Sequence, residues 1–215
     1  MDWWRIVCCA AAGYLLGSCN GAIVVSHTCM HDDIRKKGSG NAGLTNFLRN
    51  FGGWATLLVV LMDMGKVVLA CLLGRWLLPG NPQLGMMIAG AMTELGHIFP
   101  VFYGFRGGKG VVTTAAMMLL LDWRVFLICF AVFLLVFLKK RMVSLSSITA
   151  AAIYPVVTFC MTYFVDCCVG GLPVFYVVMA TLVAALIGAT VIIKHRANIK
   201  RIRNGTESTI SFKKK

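Results

Sequence analysis

Acid is scarce in this chain: eight Asp and Glu stand against 21 Lys and Arg in 215 residues, a formal charge of +13. Such an excess suits nucleic acid or the anionic face of a membrane, and the count alone does not separate the two. No C-x-x-C occurs and the nine cysteines are an odd number, which argues against a disulfide framework. Cys8, Cys9, Cys71, Cys129 and Cys160 lie in apolar runs and read as small hydrophobic fillers; only the adjacent Cys167 and Cys168, near a span end, stand apart. There is no internal repeat and no low-complexity linker, so residues 1–215 are expected to form one domain. No cleavable signal peptide is evident. Residues 7–16 follow only Asp2 and Arg5 as charges and lack a small-residue cleavage site, so the stretch reads as a first span. The glycine-rich "FRGGKGVVT" (105–113) misses the G-x-x-x-x-G-K-[ST] pattern, with Tyr103 and Gly110 at its first and last positions, which excludes a nucleotide-hydrolysing loop.

Apolar residues are abundant instead. They make up 59% of the chain, with a mean hydropathy of +0.80, well above the roughly 45–50% of soluble domains. An all-α integral membrane protein is expected. Spans of about 20 apolar residues fall near 4–26, 53–78, 84–103, 147–165 and 172–193. Between the third and fourth, residues 111–138 are interrupted by Asp122, Trp123 and Arg124, leaving pieces at 111–121 and 125–138 that are each short for a full crossing.

Charge decides how to count them. The loop with Arg106 and Lys109 and the loop with Lys139, Lys140 and Arg141 are both basic, so both belong on the cytoplasmic side and an even number of crossings separates them. Two short helices satisfy this, for seven transmembrane helices with the N-terminus outside and the C-terminus in the cytoplasm. Arg35, Lys36, Lys37 and Arg49 then lie inside with the basic tail that starts near residue 194, leaving Arg5, Arg75 and Arg124 outside and Lys66 within a span. Lys213, Lys214 and Lys215 read as a lipid-surface contact. The tail lacks the aromatic platforms that nucleic acid binding requires, so no nucleic acid partner is expected.

On that topology four polar clusters share the inner face: "GSGNAGLTNFLR" (38–49), "GHIFPVFYGFRGGKGVVT" (96–113), "RMVSLSS" (141–147) and "HRANIKRIRNGTE" (195–207). Each joins glycine, hydroxyl or amide residues to at least one cation, a composition that ligates phosphate through charge-assisted hydrogen bonds. Gly107, Gly108 and Gly110 around Lys109 let backbone amides converge on an anion.

In this order the clusters resemble the signature motifs of the bacterial PlsY family, membrane glycerol-3-phosphate acyltransferases that use acyl phosphate, over residues from about 17 to 207. The resemblance implies seven membrane helices, a multi-pass location in the bacterial cytoplasmic (inner) membrane, and transfer of a long-chain acyl group to the 1-hydroxyl of glycerol 3-phosphate. The products are then lysophosphatidic acid and phosphate, as the first step of phospholipid synthesis. It also implies a functional link to PlsX, the soluble acyl-phosphate-forming enzyme, and no cofactor. Residue by residue, it assigns phosphate contacts to Ser39 and Arg49, with Gly40, Asn41, Gly43, Thr45 and Asn46 forming the loop between them. The essential lysine matches Lys109 beside Arg106, Gly107 and Gly108, the third-signature serine Ser144, and the last-signature His and Asn His195 and Asn198. Leu44, Arg106 and "SCNGA" (18–22) depart from the usual pattern.

The chemistry suits these residues. Both substrates carry phosphate, and Arg49, Lys109, Arg106 and His195 offset the gathered charge. Acyl phosphate is already an activated anhydride, so positioning and anion stabilisation replace a nucleophilic Ser or Cys. The hydroxyl's proton goes to His195 or to a substrate phosphate oxygen.

Plainer readings stand beside these. Lys109 is otherwise a positive-inside anchor, Arg49 a lipid contact, Ser144 a helix N-cap and His195 an interfacial residue. Asp63 and Lys66, in mid-span, read as a structural pair. Glu94 and His97 form a metal half-site without partner ligands, so no metal is expected. His27 and Asp32 match the H-x-x-x-x-D spacing of acyltransferases using acyl-CoA or acyl carrier protein, and a phosphate transporter is the alternative outside catalysis.

Overall fold

The computed structural model describes residues 3–210 and, among them, contains helices and no strands. It divides into two compact units, Met1–Leu121 and Asp122–Lys215.

The first unit opens with α1 (Trp3–Ser18) and α2 (Gly21–Thr28), one apolar stretch bent by 41° at residues 19 and 20. The sequence suggested a single span there, and the backbone groups at the break find their partners on another helix. After the loop of residues 29–43 come the short α3 (Leu44–Phe51) and α4 (Gly53–Leu77), 25 residues or about 37 Å long. Next is α5 (Pro82–Ile98), which starts on a proline where the missing N–H is harmless, and then α6 (Val111–Leu121), of 11 residues. α5 packs between α1 and α4, and α6 lies against α4 and α5. Gly13 and Gly17, one turn apart on α1, face the backbone of Ala89 and Thr93, where any Cβ would collide with it. Small residues at this spacing are how membrane helices approach closely.

Asp63 and Lys66 on α4 hold the two sides of the bend. Lys66 Nζ donates to the carbonyls of Gly17 and Cys19, both at 3.1 Å, at the end of α1. Asp63 Oδ1 accepts the Gly21 amide of α2 at 3.0 Å, and the two side chains pair at 2.8 Å. Asn20 caps α2 by accepting from Ile23 N. Backbone groups freed by a break within lipid must find partners, and one buried ion pair serves both sides of this one. The two residues do pair, as the sequence suggested.

Beneath the loop, Ala22, Ile23 and Val25 of α2 pack with Ile34, Ala42, Phe47 of α3, and Ala55 and Val59 of α4. This apolar cluster fixes the loop on the helix bundle. At the far end, Trp3 and Trp4 of α1 and Trp76 of α4 are exposed, and Arg5 donates to the Leu77 carbonyl, an aromatic belt typical of a membrane interface.

The second unit holds α7 (Trp123–Lys140), α8 (Val143–Cys160), continued by a π-helical stretch at Met161–Cys167, α9 (Val174–Lys194) and α10 (Arg196–Arg203). α8 packs between α7 and α9. Asp122 caps α7, and Arg124 reaches both Asp122 and Asp166 at 2.7–3.0 Å, joining the start of α7 to the π-helical turn. Residues 111–121 and 123–140 are thus separate helices. Among the described residues four helices, at Gly53–Leu77, Pro82–Tyr103, Val143–Cys167 and Val174–Lys194, are long and apolar enough to cross a membrane, or five if the bent α1–α2 pair counts as one. All nine cysteines are free thiols.

Candidate active site

Residues 38–46 wrap around one side chain. Asn46, buried near the start of α3, donates through Nδ2 to the carbonyls of Ile34 (3.3 Å), Lys37 (3.0 Å) and Asn41 (3.1 Å). Its Oδ1 accepts from Ser39 N (3.0 Å) and Asn50 Nδ2 (3.2 Å). The amide of Asn46 is therefore occupied by the loop it shapes. Ser39 and Gly40 face outward, Asn41, Gly43 and Thr45 are half-buried, and Arg49 is exposed at the end of α3.

Arg35 ties this loop to the next signature. Its guanidinium grips Asp33 at 2.8–3.2 Å, donates to the Tyr103 carbonyl at 3.0 Å and stands over the Tyr103 ring. Hydrogen bonding from Arg35 holds the Asp33 carboxyl well below the usual carboxylate range. The H-x-x-x-x-D pairing does not form: Asp32 is taken by Lys37 at 2.9 Å, and the half-exposed His27 lies 3.6 Å from Asp33 instead.

The glycine loop runs back across the end of α5. Gly108 N donates to the His97 carbonyl at 3.2 Å, and a Cβ on Gly108 would meet both the His97 ring and the Ala42 carbonyl. Only glycine lets the second signature lie this close to the first. Ala42 is held in turn by Asn20 Nδ2 at 3.2 Å. Lys66 stands 3.0 Å from His97 Nδ1, and because an ammonium only donates, this nitrogen accepts. Gly107 and Lys109 are half-buried and Arg106 is exposed. Among the described residues no group of three or more His, Cys, Asp or Glu is placed to hold a metal ion.

In the second unit the polar residues converge on a carboxylate that sequence reasoning gave no role. Glu207 Oε1 accepts from Ser144 Oγ (2.7 Å) and Asn198 Nδ2 (2.6 Å), and Oε2 from Arg201 Nε (2.7 Å). Burial alone pushes this carboxyl up, and the three donors together overcome burial and hold it below the ordinary glutamate value. Ser144 is not the N-cap of α8; that position is Met142, and the serine hydroxyl is committed to Glu207. Ile210 N donates to the Arg141 carbonyl at 2.9 Å, so residues up to 210 are stitched to the start of α8. Lys213, Lys214 and Lys215 lie outside the described residues. His195, buried between α9 and α10, has Nδ1 at 2.8 Å from the Val191 carbonyl. A carbonyl only accepts, so the ring proton is on Nδ1 and Nε2 is the basic nitrogen. The available signal for Glu207 was its isolation, as the single acid after Asp166 in a strongly basic stretch.

A bundle of apolar helices with these buried polar clusters defines an all-helical integral membrane protein. Residues 7–205 match the family described as Glycerol-3-phosphate acyltransferase. Relatives named glycerol-3-phosphate acyltransferase include that of Syntrophomonas wolfei, 41% identical over 200 residues, covering 93% of this chain and 94% of that one. That of Lactiplantibacillus plantarum is 35% identical over 209 residues, covering 97% and 93%. Among solved structures, the crystal structure of PlsY (YgiH), an integral membrane glycerol 3-phosphate acyltransferase, in its glycerol 3-phosphate form is 33% identical, with a TM-score of 0.79 and 96% of each chain covered. Its lysophosphatidic acid form gives a TM-score of 0.78 at the same identity, covering 96% of this chain and 95% of that one. The chain belongs to the glycerol-3-phosphate acyltransferase (PlsY) family.

Proposed function

We propose that this protein transfers a long-chain acyl group from acyl phosphate to the 1-hydroxyl of glycerol 3-phosphate, releasing lysophosphatidic acid and inorganic phosphate. The observation that carries the reading is Gly108 packed against both His97 and the Ala42 carbonyl, because it brings the two glycine-bearing signatures of the first unit together. The glycerol 3-phosphate and lysophosphatidic acid forms of the similar PlsY structure support the same acceptor and product.

The hydroxyl oxygen attacks the acyl carbonyl carbon, the carbon–oxygen bond to phosphate breaks, and phosphate departs with the bonding pair. The hydroxyl proton passes to His195 Nε2 or to a substrate phosphate oxygen. Lys109, Arg49 and Arg106 offset the charge of the two phosphates, with Ser39, Gly40, Asn41, Gly43, Thr45, Asn46, Gly107 and Gly108 shaping the loops that present them. Ser144, Asn198 and His195 are the remaining catalytic residues of this reading. No covalent intermediate, metal or cofactor is needed, since the donor is already activated.

The reading extends to one membrane domain over residues 1–215 with seven crossings, the N-terminus outside and the tail in the cytoplasm. It places the chain in a bacterial inner membrane, where PlsX supplies the acyl phosphate. Product formation by the purified protein from acyl phosphate and glycerol 3-phosphate tests the reaction, and turnover with acyl-CoA alone overturns the donor assignment. A lone cysteine placed after Lys215, in a chain without the native nine, tests the topology. It should resist an impermeant thiol reagent in intact cells.

A further inference from the structure

Glu94 lies one turn before the end of α5, is 2% exposed, and has its carboxyl directly beneath Gly110, the last glycine of the loop around Lys109. A Cβ at Gly110 would fall on that carboxyl, and Gly110 has a φ of +81°. Thr113, in the first turn of α6, shares its hydroxyl proton between Glu94 Oε2 and the Gly110 carbonyl, the latter at 2.9 Å. Thr114 N donates to the same carbonyl at 2.8 Å. The peptide joining Gly110 to Val111 is therefore held from two sides. Its N–H, trans to the carbonyl, points the other way, out of the α6 N-terminus, where helices bind phosphate.

A carboxyl in the apolar interior of a membrane protein is a stability cost, and one shared hydroxyl offsets little of it. Glu94 Oε1 is buried without a hydrogen-bond partner and aims at the Gly110 backbone. A leucine would fill the same volume with no such cost, which marks the group as functional.

We infer that Glu94 is a positioning residue: through Thr113 and Gly110 it sets the adjacent Lys109 and the first amides of α6 to receive a substrate phosphate. This rests on reading residues 105–113 as a phosphate loop. The phosphate belongs either to glycerol 3-phosphate or to the acyl donor, and separate KM values identify which.

The test compares Glu94→Gln and Glu94→Leu in the full-length purified protein, with kcat, KM for each substrate, and Tm. Gln keeps an oxygen for Thr113 and should stay within about twofold of the unsubstituted protein in both KM values. Leu should raise one KM at least about fivefold while leaving Tm unchanged or higher. A purely structural role would instead lower Tm and the amount of folded protein. Unchanged KM values in Glu94→Leu, a lowered Tm with unchanged KM, or Glu94→Gln as impaired as Glu94→Leu would each overturn the inference. If the unsubstituted protein forms no product, the proposed reaction fails on its own. Calorimetric binding of glycerol 3-phosphate and of a non-hydrolysable acyl phosphate analogue then decides Glu94: Leu should weaken one of them at least about fivefold, and no binding or equal binding overturns the assignment.

Discussion

The Lys66 ammonium and the Asp63 carboxylate, 2.8 Å apart inside the first unit, attend to opposite sides of one helix break. Lys66 takes carbonyls at the end of α1, where the helix dipole is negative, and Asp63 takes the first amide of α2, where it is positive. His97 closes the group and carries it to Gly108.

Removing one member should therefore be worse than removing both. Lys66→Met leaves a buried carboxylate uncompensated, for an expected loss of about 3–5 kcal/mol, and adding Asp63→Leu should recover part of it. Thermal unfolding in one detergent measures both. A double variant less stable than Lys66→Met would contradict the pairing.

Lys109→Ala should lower kcat/KM at least about a hundredfold, the scale of one preorganised electrostatic contact. Gly108→Ala should be comparably damaged, because its methyl group enters the space of the His97 ring and the Ala42 carbonyl. Steady-state kinetics at matched membrane levels decides; a twofold loss in Lys109→Ala returns that residue to an anchor.

The two histidines should separate cleanly. His27→Ala should keep most activity, since His27 does not pair with Asp32. His195→Ala should lose about 10²-fold or more with acyl phosphate if Nε2 takes the hydroxyl proton. Abolished turnover in His27→Ala, with acyl-CoA as donor, would reverse the assignment.

Glu207 sets the acid limit of the second unit's polar cluster. Its folded pKa lies below the unfolded value, so its stabilisation is present above the ordinary glutamate range and is lost as pH falls through the lowered folded value. Backbone hydrogen exchange of residues 196–207, after correction for intrinsic rates, should be flat above the ordinary glutamate range and rise only as pH falls below it. Glu207→Gln should exchange faster at neutral pH and lose that acid dependence.

Much of this was legible before any coordinates. Hydropathy alone determined a membrane-embedded helical protein, and the interruption at Asp122 marked the boundary between α6 and α7. The order of four glycine-and-cation clusters pointed to the family. These are local properties: a run of apolar side chains must leave water, and a glycine-rich loop carries its conformational range in its own residues. The tertiary structure alone decided which distant groups meet. The bend between α1 and α2 is held by two charges on α4, Ser144 and Asn198 meet on Glu207, and Glu94 matters only because Gly110 rests on it. Buried polar groups must be satisfied wherever the fold brings a partner, and sequence separation carries no record of that pairing.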